Sequence, residues 1–312
     1  MTYGFRHYYG VPLHGLVWNL LAKRHIFDYE KEHEVQLDAH KSAVAKAYGL
    51  ASEGYNKSAL RFFSQGAEAL VDFAGLSRGQ KILDVATGTG HAALYAGIKV
   101  GAEYGSVIGI DIAEAMVNLA NSYAKNLSRG NVQFSLMDGE HTTFANDAFD
   151  AVLCSYGIFF LPDMANGITE WKRVTKPGGW VCFSAFGDTA FQPQSDLFEQ
   201  RIRQFGPLIP DKKRPFGWQR LVDPQALVAL LDQAGMANVE VREVKIGYLL
   251  RDKEEWWDIC WNSGFRGPLA LLNASDLQQF KEDHLREVDA LRGRDGIFFD
   301  GTTFVAKGQV NK

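Results

Sequence analysis

The sequence is short of cysteine, of net charge and of long apolar runs, and each shortage excludes something. Its three cysteines, Cys154, Cys182 and Cys260, are odd in number, far apart and without metal-ligand spacing. They exclude a disulfide framework and a thiolate metal site, and are expected as reduced, mostly buried thiols of a cytoplasmic protein. The formal charge of -4 offers no basic excess, so no nucleic-acid surface is expected. No apolar run approaches membrane-spanning length, so no integral membrane segment is expected. The N-terminus has no basic stretch leading into an apolar one, which argues against a secretory leader. Repeats, linkers and low-complexity tracts are also missing. With 46% hydrophobic and 22% charged residues, the 312-residue chain reads as one large globular domain with extensions.

What the chain has is the stretch KILDVATGTG at 81 to 90. Ile82, Leu83, Val85 and Ala86 make a short apolar run, as in a parallel strand covered on both faces, and Asp84 interrupts it. Gly88 and Gly90 allow a sharp turn and a close approach to backbone. A helical pattern starts at His91. Strand, glycine turn and helix make a site at the carboxyl end of a sheet strand, where open α/β folds bind cofactors. The turn lacks the third glycine of G-x-G-x-x-G, although Ala93 is tolerated there, and no lysine follows as in a phosphate loop.

Around this stretch the chain alternates. Strands are expected at 81–86, 107–111, 131–136, 149–154 and 179–185, with helices near 91–103, 112–126 and 162–175. That is a doubly wound α/β sheet. Before it come an aromatic arm (1–12), an amphipathic helix from Leu13 to Phe27, a segment near 35–48, and a helix near 57–74 stopped by Gly75. Residues 1–50 read as a helical extension or lid and 51–312 as the main domain. The early helices also suit a homodimer contact or, less simply, a membrane surface. After strand five the period breaks into a cap (187–222) with a helix near 195–205. A helix opened by Asp223-Pro224, a strand near 238–247, a helix from Asp252 capped with Glu255, a helix at 276–291 signalled by Ser275 and Gln278, and a strand at 302–307 complete the chain. Substrate elements are expected at about 187–222 and 252–300.

The strand ends carry the polar groups. Asp111 either accepts hydrogen bonds from the ribose hydroxyls of a nucleoside cofactor or caps the next helix. Ile112 and Met116 can sandwich an adenine ring, or pack as core. Asp138, in Asp138-Gly139-Glu140, either takes a hydrogen bond from an adenine amine or shapes a turn. Ser155, Tyr156 and Gly157 end strand four where the reactive end of a cofactor would lie. His141 is the histidine best placed to act as a base, with Glu140 and His14 as alternatives. Tyr156, Phe159, Phe186, Trp218, Trp257 and Trp261 are candidates for an aromatic substrate wall, each with ordinary core packing as its competing reading.

DVATGTG, VIGIDIA, the DGE after strand three, and FDAVLCSYGIFFLPD with ITEWKRVTKPGGW together resemble a class I S-adenosylmethionine-dependent methyltransferase. The branch most resembled holds the ubiquinone and menaquinone biosynthesis C-methyltransferases and their small-molecule relatives. The resemblance implies a seven-stranded Rossmann-like sheet whose last strand is antiparallel and inserted between neighbours. It implies that Asp84 orients the methionine amino group, and that Ala86, Gly88 and Gly90 line the methionine and sugar. It gives Asp111 the ribose, Ile112 and Met116 the adenine faces, Asp138 and Gly139 its edge, and Ser155 the methionine moiety. Tyr55 matches a tyrosine that closes over the cofactor in relatives. The implied reaction moves a methyl group from S-adenosylmethionine to a small, aromatic or hydrophobic metabolite, leaving S-adenosylhomocysteine, with no metal. The competing readings are a nicotinamide-dependent oxidoreductase, weakened by the absent YxxxK pair, and a cofactor-binding fold that does not methylate. The early extension and the aromatic-rich 187–301 segment exceed what the quinone enzymes carry.

Overall fold

A computed structural model describes residues 39–206 and 217–312. The arm, the Leu13–Phe27 helix, His14 and residues 207–216 of the cap lie outside the described residues. Residues from Ala39 onward belong to one compact unit, which includes the helix α1 (Ala39–Ala51).

The body is built on strands β1 (Lys81–Val85), β2 (Ser106–Asp111), β3 (Val132–Leu136), β4 (Phe149–Ser155), β5 (Thr175–Phe186), β6 (Ala237–Val244) and a final strand, Thr303–Gln309. They form one seven-stranded sheet in the order β3-β2-β1-β4-β5-final-β6. The final strand runs antiparallel between β5 and β6, as the resemblance implied. The order reverses between β1 and β4, whose parallel pairing sets Asp84 beside Leu153. Such a reversal opens a crevice at the carboxyl ends of the two strands.

Side-chain alternation divides the core between the two faces. Ile82, Ala151, Leu153 and Cys182 face a small-residue layer with Ala67, Ala93, Ala96 and Ala120. Leu83, Val152, Cys154 and Phe183 face an aromatic layer with Phe62, Phe186, Phe198 and Trp256. The first layer is covered by α2 (Arg61–Ala74), α3 (His91–Val100) and α4 (Glu114–Asn126). Helix α2 buries Phe63, Ala67, Leu70, Val71 and Ala74 on one stripe, and Gly75 ends it at φ 67°. Helix α5 (Met164–Val174) begins where Asp163 accepts the Asn166 N–H.

After β5 come α6 (Gln194–Ile202) and α7 (Pro224–Gln233), the latter with Asp223 accepting the Gln225 N–H. The strand expected at 238–247 is two strands. Beyond β6, residues Gly247–Leu250 form β7, which leaves the sheet to pair antiparallel with β8 (Ile297–Asp300) as a separate ribbon. The final strand is therefore β9. Between the ribbon strands lie α8 (Lys253–Trp261), the short α9 (Arg266–Leu269) and α10 (Ala274–Asp289). Asp252 accepts the Glu255 N–H as expected, but the Glu255 carboxylate accepts from Arg251, one residue before the cap. Helix α10 starts two residues earlier than its sequence signal. Asn273 caps it by accepting the Asp276 N–H, and Ser275 lies inside the first turn. Among the described residues no helix is long and apolar enough to cross a membrane. No cluster of His, Cys, Asp and Glu there fits a metal ion.

Candidate active site

The crevice is set by backbone placed in unusual conformations. Ala86 after β1 and Tyr156 after β4 have φ of 53° and 54°, a left-handed region that non-glycine residues seldom occupy. A side-chain carbon on Gly157 would lie 2.4 Å from the Ala86 methyl. The two strand ends thus approach as closely as glycine permits. Tyr156 is fixed at both ends. Its N–H donates to Ser184 Oγ at 3.1 Å. Its hydroxyl lies 2.6 Å from Thr303 Oγ1, which itself donates to the Gly301 carbonyl, so the phenol is the donor. Gly88 and Gly90 take φ of 55° and 91°. The turn they make delivers α3, whose Ala93 N–H donates to Asp84 Oδ2 at 3.1 Å.

The two aspartates of β1 and β2 differ in commitment. Asp84 is fully buried, and its Oδ2 also accepts the Thr87 hydroxyl at 2.5 Å. Its Oδ1 is buried without a hydrogen-bond partner among the described residues. Burial pushes this carboxyl up to about 7. Asp111 accepts the Gly88 N–H at 2.8 Å and the Ala113 N–H at 2.9 Å, one on each oxygen. It ties the glycine turn to the end of β2. Helix α4 starts at Ala113 without a side-chain cap, so the capping alternative does not describe Asp111. Burial raises its pKa, against the bonds from Ala113 and Gly88 that lower it.

A cavity of about 80 Å³ lies in this crevice. Tyr55, Ala86, Gly88, Asp111, Ile112, Met116, Asp138, Ser155 and Tyr156, all singled out from the sequence, line it. Asp84, Gly90 and Gly139 stand behind the lining. Tyr55 lies 3.8 Å from where a Gly88 side chain would begin, and its ring stacks on Phe63. A larger open cleft beside the β7–β8 ribbon, lined by Arg251, Arg292 and Arg294, holds no residue from the ends of β1 to β4.

Other expected residues are placed elsewhere. Glu140 is buried with its carboxylate turned to the Asp163 N–H and to Lys41, and does not line the cavity. The His141 side chain is 72% exposed, with Nδ1 3.2 Å from Asp138 Oδ2, and it does not line the cavity. The aromatic wall is mostly core. Phe159 and Phe186 are buried in the apolar layer, and Phe186 stacks on Tyr156. Trp218 packs on Phe191. Trp257 and Trp261 stack on each other along α8. Of the six candidates only Tyr156 reaches the cavity.

The sequence reading missed the roof. Helix α1 contributes Lys41, Val44, Ala45 and Tyr48, and the turn after β4 contributes Phe160 and Leu161. Tyr48 packs edge-on against Phe160 at 5.1 Å between ring centres. Burial first, then the charge of Asp111, pushes the Tyr48 pKa up, and burial raises that of Tyr55. Both phenols therefore face the cavity as donors.

The ubiE/COQ5 methyltransferase family matches residues 59–250, well over half of the chain. Aklanonic acid methyltransferase DauC of Streptomyces sp. (strain C5) is 30% identical over 201 residues, covering 62% of this chain and 85% of its own length. Demethylmenaquinone methyltransferase of Staphylococcus carnosus is 32% identical over 176 residues, 54% of this chain and 72% of that one. The crystal structure of YcgJ from Bacillus subtilis superposes with a TM-score of 0.54 at 20% identity, over 80% of this chain and 99% of that one, and so shares the fold. The switch-point crevice and the match through it place the chain in the ubiE/COQ5 methyltransferase family, enzymes that bind S-adenosylmethionine and methylate small molecules.

Proposed function

We propose that the acceptor is a small aromatic or hydrophobic metabolite, methylated by in-line displacement, with the cofactor lying along the β1–β2–β4 strand ends. The observation that carries this is the cavity itself. One crevice gathers Ala86, Gly88, Asp111, Ile112, Met116, Asp138 and Ser155 from four strand ends. The residues fit S-adenosylmethionine in a second respect: Asp84 keeps a buried oxygen without a partner, suited to an ammonium group.

When bound, S-adenosylmethionine supplies a methyl group already activated by a positively charged sulfur. The chain's residues bind and align. In this reading Asp84 orients the methionine amino group, Asp111 accepts the ribose hydroxyls, and Ile112 and Met116 grip the adenine between them. Asp138 and Gly139 read the adenine edge. Ala86, Gly88 and Gly90 present backbone, and Ser155 meets the methionine moiety. Tyr55 and Tyr48 close the roof and exclude water. Alignment of two reactants is worth on the order of 7–11 kcal/mol of barrier at its best. Among the described residues the lining holds no histidine, and His141 and Glu140 are turned elsewhere. An acceptor acidic enough to ionise in solution needs no base from the chain.

The relatives are named for aklanonic acid and for demethylmenaquinone, which directs the search to organic acids and quinone-type aromatics. The test is calorimetry with S-adenosylmethionine and S-adenosylhomocysteine, followed by radiolabelled methyl transfer to such a panel. Saturable binding of both nucleosides and labelling of an aromatic acceptor are expected. Absence of nucleoside binding overturns the cofactor placement, and labelling confined to polar aliphatic acceptors overturns the acceptor class.

A further inference from the structure

Helix α1 is fastened in an unusual way. Of its 13 residues only Lys41 and the terminal Ala51 are buried. Val44, Ala45 and Tyr48 on the same side reach the cavity but are only partly buried; the side chain set deepest is a charge. Lys41 Nζ lies 2.7 Å from Asp138 Oδ2 and 2.5 Å from Glu140 Oε2. The three side chains are 8%, 10% and 4% exposed. Both carboxylates are held from the other side as well. Asp138 Oδ1 accepts the Glu140 N–H at 3.0 Å, and Glu140 Oε1 accepts the Asp163 N–H at the start of α5 at 3.2 Å.

Two carboxylates this close and this buried do not both ionise without a cation, because like charges in one site raise one pKa. Lys41 supplies the cation. Burial acts first to lower the Lys41 pKa, and the two carboxylates reverse that, so the group stays charged. Asp138, in turn, is held below its ordinary value by Lys41 against the cost of burial. Asp138 and Lys41 both line the cavity.

We propose that Lys41 is a positioning residue for the nucleobase. It keeps Asp138 ionised and aimed, so that the carboxylate accepts from an exocyclic amine and rejects a carbonyl in the same place. By the same bonds it fastens α1 across the cleft, so base recognition and roof closure are one event. This rests on the cofactor placement argued above. An ionised carboxylate is an acceptor only. Facing adenine it makes a charge-assisted bond, whereas facing hypoxanthine it meets a second acceptor. Without Lys41 the buried Asp138 keeps only the Glu140 N–H and the exposed His141 as partners, burial then favours its protonated form, and a protonated Asp138 can donate to the hypoxanthine oxygen. Base discrimination then collapses, which loss of packing alone would not cause.

The experiment compares S-adenosylhomocysteine with S-inosylhomocysteine by calorimetry on wild type, Lys41→Met and Lys41→Arg, with amide hydrogen exchange over residues 39–51. Wild type is expected to prefer the adenine compound by about ten-fold or more and to lose exchange in α1 when it binds. Lys41→Met is expected to bind both nucleosides within a few-fold of each other and to exchange α1 faster. Lys41→Arg is expected to restore the preference. If Lys41→Met does not fold, Lys41→Gln, one atom shorter but with a donor and no charge, gives the same reading. The proposal is overturned if the uncharged variant keeps the wild-type preference, or if wild type binds both compounds alike. Should wild type bind neither, the cofactor placement fails and not the role of Lys41 alone.

Discussion

Asp84 is half-protonated near neutral pH, because burial outweighs the hydrogen bonds from Thr87 and Ala93 and lifts it to about 7. Its folded pKa lies above its unfolded value, so it favours the unliganded fold at low pH, and that contribution is lost as pH rises through 7. An ammonium ligand reverses the preference, since it binds the ionised form. Affinity for S-adenosylmethionine is therefore expected to rise by about ten-fold between pH 6 and pH 8, following the ionised fraction of Asp84. Calorimetry across that range on wild type and Asp84→Asn checks it: the variant binds weakly with a flat profile, and a flat wild-type profile removes Asp84 from the ammonium. Gly66 is a second residue on which function leans. It sits inside α2, and a side-chain carbon there would lie 1.9 Å from the Tyr156 hydroxyl. Alanine gains about 1 kcal/mol of helix propensity, but overpacking costs about 1–3 kcal/mol, and here it displaces a phenol bonded to Thr303. Gly66→Ala is expected to lose stability in urea and to bind S-adenosylhomocysteine more weakly. A gain in stability would show that Tyr156 can move freely.

Helices α8 and α10 share a buried polar contact inside the aromatic layer. Trp256 Nε1–H donates to His284 Nε2 at 2.8 Å, and His284 is fully buried. The proton of the neutral ring therefore sits on Nδ1, which faces Glu287 at 3.7 Å. Burial, with some opposition from Glu287, lowers the His284 pKa to about 4. A histidine held neutral in the fold takes its proton more readily when unfolded, so stability is full above about 6.5 and falls as pH drops toward 4. The loss assigned to His284 is about 2 kcal/mol between pH 7.5 and pH 5. Urea titrations of wild type and His284→Gln at both pH values measure it, as the amount by which the variant falls less. Nothing in the sequence pattern announced this pairing, and the reason is general to these elements. Strands β1 to β5 were legible because each is a short apolar run closed by a turn, and the strand-end aspartates because turn chemistry is local. The β7–β8 ribbon was not: residues 238–247 read as one strand, and the chain leaves the sheet where the Gly301 N–H donates to the Ile246 carbonyl, a contact from across the chain. Helix α1 has only a short apolar side, Val44, Ala45 and Tyr48, and the partner of Lys41 lies 97 positions away. Core and pocket want the same large apolar side chains, which is why five of the six wall candidates proved to be packing.

At the scale of the whole molecule the crevice belongs to both halves of the sheet. Met116, Asp111 and Asp138 come from the β3-β2-β1 side, and Ser155 and Tyr156 from the β4 side. A nucleoside lying there contacts residues that meet only when the sheet is complete, so it binds the folded chain and not the unfolded one. Linkage then raises the stability of the entire unit by about 2.7 kcal/mol at a ligand concentration one hundred times the dissociation constant. For a domain of this size that corresponds to a rise in melting temperature of roughly 5–10 °C. Scanning calorimetry with S-adenosylhomocysteine is expected to show one transition moving upward as a whole. Asp111→Asn is expected to abolish the shift, since an amide nitrogen would then face either the Gly88 or the Ala113 N–H and disturb the turn that the carboxylate now holds. A ligand-induced shift confined to part of a split transition would mean that the two halves fold apart, and that the crevice is formed by docking and not by the sheet.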